Sequence, residues 1–170
     1  MFEYPLHTLD SAPEGSRHIL RQADANTTGQ VNNLERILAE SPITLEGFEK
    51  LNELFANSSL SALERQVVFV TAAHANHCHY CTARYPKAPD ARAREVATAI
   101  LNDKPIDDHR LQTLHRFTKA MTEQRGWVPE DLTWKMHDVG YTKAQLLEIV
   151  TGITIVTLAS YVSHLAATPV

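Results

Sequence analysis

Three histidines and both cysteines of the chain lie within eight positions, in the segment HANHCHYC at 74–81. Thiols and imidazoles at this spacing suit a metal site, a redox-active dithiol, or two inert buried thiols beside histidines that cap a helix. In the pair Cys78-x-x-Cys81, a helix that opens at the second half of the motif brings the two sulfurs within disulfide reach and favours a thiolate. The chemistry of this segment decides most of what the sequence says about function.

A metal site is the first alternative. Tetrahedral zinc needs four ligands, which usually come as two pairs from separate segments. The motif supplies one cysteine pair, and His74, His77 and His79 are too close in sequence to converge on the same ion with both thiols. A remote histidine, His115 or His164, could complete a site, but the chain has no second CxxC pair and no HxxxH pair. We therefore predict no bound metal and no cofactor.

The redox alternative accounts better for the histidines. A free cysteine is only about 3% thiolate at pH 7, and half-ionisation requires about 2 kcal/mol of stabilisation. A helix dipole supplies about 0.3–1 kcal/mol, so a nearby imidazole is needed as a second contributor. His74 interrupts an otherwise apolar helix and needs a partner if it is buried there. His77 and His79 are predicted to be exposed or to cap a helix.

Composition and charge narrow the function classes. The net charge is −4 and no basic stripe is present, so nucleic-acid binding is not expected. The N-terminus lacks the basic and apolar regions of a signal peptide, which predicts a cytoplasmic protein. The most apolar segment, 149–163, contains three threonines, a glycine and two serines, and a buried helix is a better interpretation than a membrane span.

Hydrophobic periodicity predicts an all-α protein with a single domain over 1–170. The sequence SALE at 61–64 is a capping box, and it opens a helix that carries no charge from Gln66 to Ala75. This helix, near 61–76, is predicted to be buried and to end close to the cysteines. A second capping box, Thr142 with Gln145, opens a final helix whose β-branched residues would also suit a strand.

The segment LSALERQVVFVTAAHANHCHYCTARY at 60–85 resembles the signature of the alkyl hydroperoxidase D-like branch of the carboxymuconolactone decarboxylase superfamily. In that pattern a buried helix leads through a CxxC turn into a second helix. The resemblance covers most of the chain from about Val31 onward, which places the redox core at about 31–166 and leaves 1–30 as an N-terminal extension.

The resemblance implies an all-helical fold that assembles into homo-oligomers, usually trimers or hexamers. It also implies reduction of a peroxide substrate at the expense of a dithiol or protein reductant. The second cysteine, Cys81, would become the sulfenic acid, and Cys78 would protonate the leaving group and then resolve the intermediate as a disulfide. The decarboxylase branch lacks the cysteine pair, so its presence indicates the redox branch.

The proton relay of the family is altered in this sequence. The position of the family's glutamate is Gln66, while Glu64 is better explained as the capping-box partner. The position of the histidine after the second cysteine is Tyr85. The histidine between the cysteines is replaced by Tyr80, with His79 one place away.

Two hypotheses follow for the function. In the first, the protein is a thiol peroxidase or disulfide reductase in which His74 serves as the base for the dithiol. His74 would overlie Cys78 if the helix persists that far, and Gln66 could orient its ring; His164 is a further candidate. In the second, the protein is an altered relative that binds a partner or acts in a stress response, with a structural or metal-binding cysteine pair.

Overall fold

The computed structural model describes residues 3–26, 31–83 and 90–170, and within these ranges the chain is helical and contains no β-strand. This confirms the predicted all-α class. The helices of the described residues are α1 (Glu14–Asn26), α2 (Asn33–Leu38), α3 (Pro42–Ala56), α4 (Ala62–Ala75), α5 (His79–Thr82), α6 (Ala91–Leu101), α7 (His109–Glu123), α8 (Glu130–Asp138) and α9 (Lys143–Ala166).

Helix α4 lies at the centre of the fold and packs against α6, α7 and α9. It begins at the predicted capping box, where Ser61 Oγ accepts the Glu64 amide and Glu64 Oε2 accepts the Ser61 amide at 2.8 Å. Val67, Val68 and Val70 are fully buried, as a helix segment without charge requires. The buried α4 therefore carries the following cysteines into the interior.

Helix α9 is the second long element of the core and is a helix rather than a strand. Its capping box is formed as predicted, with Gln145 Oε1 accepting the Thr142 amide at 3.0 Å. By length and composition α9 could also cross a membrane. Its residues Ile149, Ile155 and Val156 are buried in the hydrophobic core, which is the packing of a core helix.

The N-terminal part of the chain packs into the same core. Helix α1 lies against α3, and its Ile19 and Leu20 are buried in the main hydrophobic cluster. Before α1, the His7 amide donates to the Arg36 carbonyl, and Arg36 Nε donates to the His7 carbonyl at 2.9 Å. Residues 1–30 are predicted from the sequence to be an N-terminal extension. In the structure, α1 and the described residues before it pack against the helical bundle.

A buried carboxylate ties the start of α4 to two other elements. Glu64 is 7% exposed, and its Oε1 accepts from Arg110 Nε at 3.0 Å and from the Tyr141 hydroxyl at 2.8 Å. Burial alone would raise the pKa of this carboxyl, but hydrogen bonds from Ser61, Tyr141 and Arg110 outweigh burial and hold the pKa below its usual 4.5. Glu64 is thus the capping-box partner that its sequence position predicted.

We expect Glu64→Gln to lower the free energy of unfolding at pH 7 by about 2 kcal/mol, because hydrogen bonds to a charged group are lost. The folded pKa lies below the unfolded one, so the contribution of Glu64 is complete above pH 4.5 and is lost as pH falls through the folded value. Denaturant titrations should therefore show the wild type and the variant converging in acid. The control Glu95→Gln removes an exposed ion pair with Arg92 and should leave stability unchanged; a pH-independent loss in Glu64→Gln would contradict the ionic explanation.

Candidate active site

The end of α4 sets the position of the first cysteine. The helix stops at Ala75, and His77 takes a left-handed conformation with φ 53°. The His77 amide then donates to the His74 carbonyl and the Cys78 amide donates to the Ala73 carbonyl, which is a Schellman motif. The chain therefore reverses sharply, and the Cys78 backbone stays hydrogen-bonded to the last turn of α4.

Cys78 also begins the short helix α5. Cys78 is the N-cap residue of α5, and its Sγ accepts a hydrogen bond from the Cys81 amide at 3.2 Å. Cys78 and Cys81 form a disulfide with their Cα atoms 5.2 Å apart, which is within the usual range for such bonds. The helix N-terminus faces Cys78 Sγ, so the local field favours negative charge on the first sulfur rather than on the second.

The second cysteine faces a small apolar pocket. Cys81 is 8% exposed, whereas Cys78 is 1% exposed. The pocket has a volume of about 60 Å³, enough for a few water molecules or a small reactive group. Its lining residues come from α2, α3, α4, α5 and α9: Leu34, Phe48, Asn52, Phe69, Tyr80, Cys81, Ile155, Val156 and Ala159. A small molecule in this pocket therefore meets Cys81 before Cys78.

A serine on α9 contacts the Cys81 sulfur. Ser160 Oγ lies 3.7 Å from Cys81 Sγ and donates to the Val156 carbonyl at 2.7 Å. Ser160 is completely buried. Sequence reasoning missed this residue, although a serine within a charge-free helix is a signal that a buried hydroxyl needs a partner. Which partner it finds depends on how α9 packs against α5.

The predicted base His74 points towards α6 and α7. Its Nε2 lies 3.5 Å from Asp103 Oδ1, and Lys119 Nζ lies 3.6 Å from the same oxygen. The charge of His74 lowers the pKa of Asp103, and together with the smaller effect of Lys119 it outweighs burial, which acts in the opposite direction. Because α4 ends at Ala75, His74 does not continue in helical register over Cys78. Among the described residues no hydrogen bond joins the His74 ring to either sulfur.

The other histidines are dispersed. His77, His79 and His164 are exposed. His115 is buried, and its Nδ1 lies 2.9 Å from Thr71 Oγ1. Burial, with smaller effects of Lys119 and His74, lowers the pKa of His115 to about 4, so its ring is neutral at physiological pH. In the part of the chain that the structure describes, no three His, Cys, Asp or Glu side chains converge as metal ligands would.

The remaining residues of the expected relay have structural partners. Gln66 Nε2 donates to the Ala93 carbonyl at 2.7 Å and so joins α4 to α6, instead of orienting the His74 ring. The Tyr80 hydroxyl accepts the Leu34 amide at 3.1 Å and lies 3.2 Å from Asn32 Oδ1, which ties α5 to the start of α2. Tyr85 lies outside the described residues.

Comparison with known proteins gives structural relatives only. The sequence matches no protein-family model and no curated protein. A peroxidase-related protein from Ralstonia eutropha JMP134, described as an alkylhydroperoxidase AhpD core, superposes with a TM-score of 0.80 at 21% identity, over 98% of this chain and 90% of that chain.

Two further solved structures are similar. A peroxidase-related protein from Silicibacter sp. TM1040 has a TM-score of 0.78 at 18% identity, over 99% of this chain and 90% of that chain. A variant of the debrominase Bmp8 in complex with 2,3,4-tribromopyrrole has a TM-score of 0.79 at 14% identity, over 99% and 91% of the two chains. Together with the helical bundle and its buried CxxC turn, these matches show that the chain has the all-helical fold of the alkylhydroperoxidase AhpD-like proteins.

Proposed function

We propose that this protein is a thiol oxidoreductase that reduces a peroxide with Cys81 and Cys78 and is regenerated by an external dithiol or protein reductant. The observation that carries the proposal is the asymmetry of the cysteine pair. Cys81 forms part of a pocket wall, while Cys78 lies beneath it and accepts a helix amide. This asymmetry supports a role for Cys81 in reacting with the substrate and for Cys78 in reacting with Cys81.

The oxidative half-reaction follows from this placement. Cys81 loses its thiol proton to solvent, its thiolate attacks the outer oxygen of the peroxide, and the O–O bond breaks. The Cys78 thiol protonates the leaving oxygen, so that an alcohol or water departs and Cys78 is left as a thiolate. The Cys78 thiolate then attacks the sulfur of the Cys81 sulfenic acid, forming the disulfide and releasing water. Two thiols and one peroxide give one disulfide, one alcohol and one water, so two electrons pass from the sulfurs to the peroxide.

The reductive half-reaction uses the same asymmetry. A reductant thiolate reaches the more exposed sulfur of Cys81 and forms a mixed disulfide, and Cys78 leaves as a thiolate. The Cys81 amide already points at Cys78 Sγ at 3.2 Å, so the leaving group is stabilised at the sulfur where charge develops. The second thiol of the reductant then releases Cys81.

Peroxide consumption by purified protein tests the proposal. With dithiothreitol in excess, we expect turnover of hydrogen peroxide or of an organic hydroperoxide, and titration of free thiols should give two after reduction and none after peroxide. If both thiols stay free in excess peroxide, the proposal is wrong and the pair is structural, as in a binding or stress-response relative. The debrominase among the similar structures shows that the fold alone does not assign the substrate, which makes this assay decisive.

We also propose that the chain self-associates through one face of α9. Four exposed hydrophobic residues of α9 lie within about 60° of each other around the helix and form a stripe along it: Leu147, Val150, Tyr161 and Leu165. Because this stripe carries no charge and runs along a helix that is apolar on its other faces too, a second copy of the same surface is a suitable partner.

Light scattering on a size-exclusion column measures this assembly. The mass of one chain is 19.0 kDa, and we expect an assembly of at least two chains at micromolar concentration. Tyr161→Glu should dissociate the assembly because it places a charge in the stripe. Trp134→Glu, at an equally exposed aromatic residue on α8, should not. A monomeric wild type would contradict the proposal.

A further inference from the structure

We propose that Ser160 controls the reactivity of Cys81, accepting a hydrogen bond from its thiol and donating one to its thiolate. This inference rests on the proposed function, since it names the group that serves the reacting sulfur. Ser160 would then supply, from α9, part of the stabilisation that the altered relay around the cysteines lacks.

The surroundings of Cys81 make such a partner necessary. Its sulfur lies in a pocket lined mainly by aliphatic and aromatic side chains, and none of the pocket's residues is charged. Among the residues that line this pocket, the titratable side chain besides Cys81 is Tyr80, whose hydroxyl donates to Asn32 Oδ1 and accepts the Leu34 amide. An apolar environment disfavours a thiolate, and the α5 amide that could offset this effect is directed at Cys78 instead.

The geometry of Ser160 suits both protonation states. In the disulfide form its hydroxyl hydrogen is committed to the Val156 carbonyl at 2.7 Å, so an oxygen lone pair faces Cys81 Sγ at 3.7 Å. After reduction, the Cys81 S–H can donate to this lone pair. After ionisation, the hydroxyl can rotate and donate to the sulfur.

Rotation leaves no backbone group unpaired. The Val156 carbonyl lies inside α9, where it also accepts the amide of the residue four positions later, as in any regular helix. Loss of the serine hydroxyl from this carbonyl is therefore tolerated. Since Ser160 is completely buried, water does not reach its hydroxyl in either arrangement.

Alkylation kinetics in a protein with a single thiol test the inference. The background variant Cys78→Ser keeps an N-cap side chain for α5 and leaves Cys81 as the one cysteine. The rate of reaction with iodoacetamide is measured from pH 5 to pH 10. We expect added Ser160→Ala to slow alkylation at pH 7 by about tenfold and to move the rise of the profile to higher pH, since one lost stabilising contact of this size changes an equilibrium by that factor.

Two further variants make the result specific. Ser163→Ala removes another buried serine from the same helix and should leave the profile unchanged. His74→Gln tests the base predicted from the sequence and should also leave it unchanged. An unaltered profile in Ser160→Ala, an equal shift in Ser163→Ala, or a shift in His74→Gln alone would each overturn the inference.

Thermal melts of each variant serve as the control for folding. We expect the fold to be retained, because a change from serine to alanine removes one oxygen atom from a packed position and adds no volume. Alkylation requires no peroxide. A failed peroxidase assay with a shifted Ser160→Ala profile would therefore reject the proposed function while retaining the role of Ser160. A working peroxidase with an unshifted profile would do the reverse.

Discussion

Replacement of Cys81 by serine is expected to reduce dithiol-dependent peroxide turnover to background, a loss of about 10³-fold or more, as is usual when a nucleophile is removed. Cys81 is the sulfur that faces the pocket, and Cys78 is 1% exposed beneath it. The remaining thiol of Cys81→Ser should therefore react slowly with peroxide, and trapping with a sulfenate-specific reagent should detect little product.

The Cys78→Ser variant provides the matched control, because both variants lose the disulfide. In Cys78→Ser the pocket sulfur is intact, so one equivalent of peroxide should be consumed and a sulfenic acid should accumulate on Cys81 for want of a resolving thiol. Mass spectrometry after trapping would locate the modification. A sulfenate on Cys78 in Cys81→Ser, with none on Cys81 in Cys78→Ser, would reverse the assigned roles.

The second large effect is expected at Gly152, where α9 packs against Phe55 of α3 and Val68 of α4. A Cβ atom built at this position would lie 2.5 Å from Phe55 Cζ and 2.9 Å from Val68 Cγ1. Phe55 is buried and stacks on Phe69 with ring centroids 5.0 Å apart, so its ring has little room to move. We expect Gly152→Ala to destabilise the protein by about 1–3 kcal/mol through overpacking, seen as a lower denaturation midpoint.

Gly47 on α3 serves as the control for Gly152. A Cβ at Gly47 would meet nothing within 4 Å, and the residue is exposed. Alanine is a better helix former than glycine, so Gly47→Ala should stabilise the protein by about 0.5–1 kcal/mol. Opposite signs for the same substitution would show that space, rather than helix propensity, governs Gly152. A stabilised Gly152→Ala would contradict the close packing of α9.

The Gly152→Ala substitution is also expected to affect the pocket beside Cys81. Three residues of α9 line this pocket: Ile155, Val156 and Ala159. A displacement of α9 would move this wall and Ser160 together. Slower alkylation of Cys81 in a folded Gly152→Ala protein is the expected consequence, and it links the packing of the helix to the chemistry at the sulfur.

The sequence by itself determined the features that depend on neighbours within one helical turn. The capping boxes at Ser61 and Thr142 each join residues three positions apart, and both are formed. The charge-free run of α4 predicted burial, and the CxxC spacing predicted that the two sulfurs would lie within disulfide reach. These interactions are local, so their partners can be identified from spacing alone.

The tertiary structure decided the partners that come from distant parts of the chain. Ser160 is 79 positions from Cys81, and Gln66 is 27 positions from the Ala93 carbonyl that it binds. His74 lies beside Asp103 and not over Cys78, because α4 ends at Ala75 and the chain reverses at His77. The left-handed conformation of His77 could not be foreseen, since it is uncommon for a residue other than glycine. No periodicity encodes how α9 and α6 approach α4, since that depends on how all the side chains of the core pack together. The pairing of Cys78 with Cys81 could therefore be predicted from the sequence, but the serine that contacts Cys81 could be found only in the folded protein.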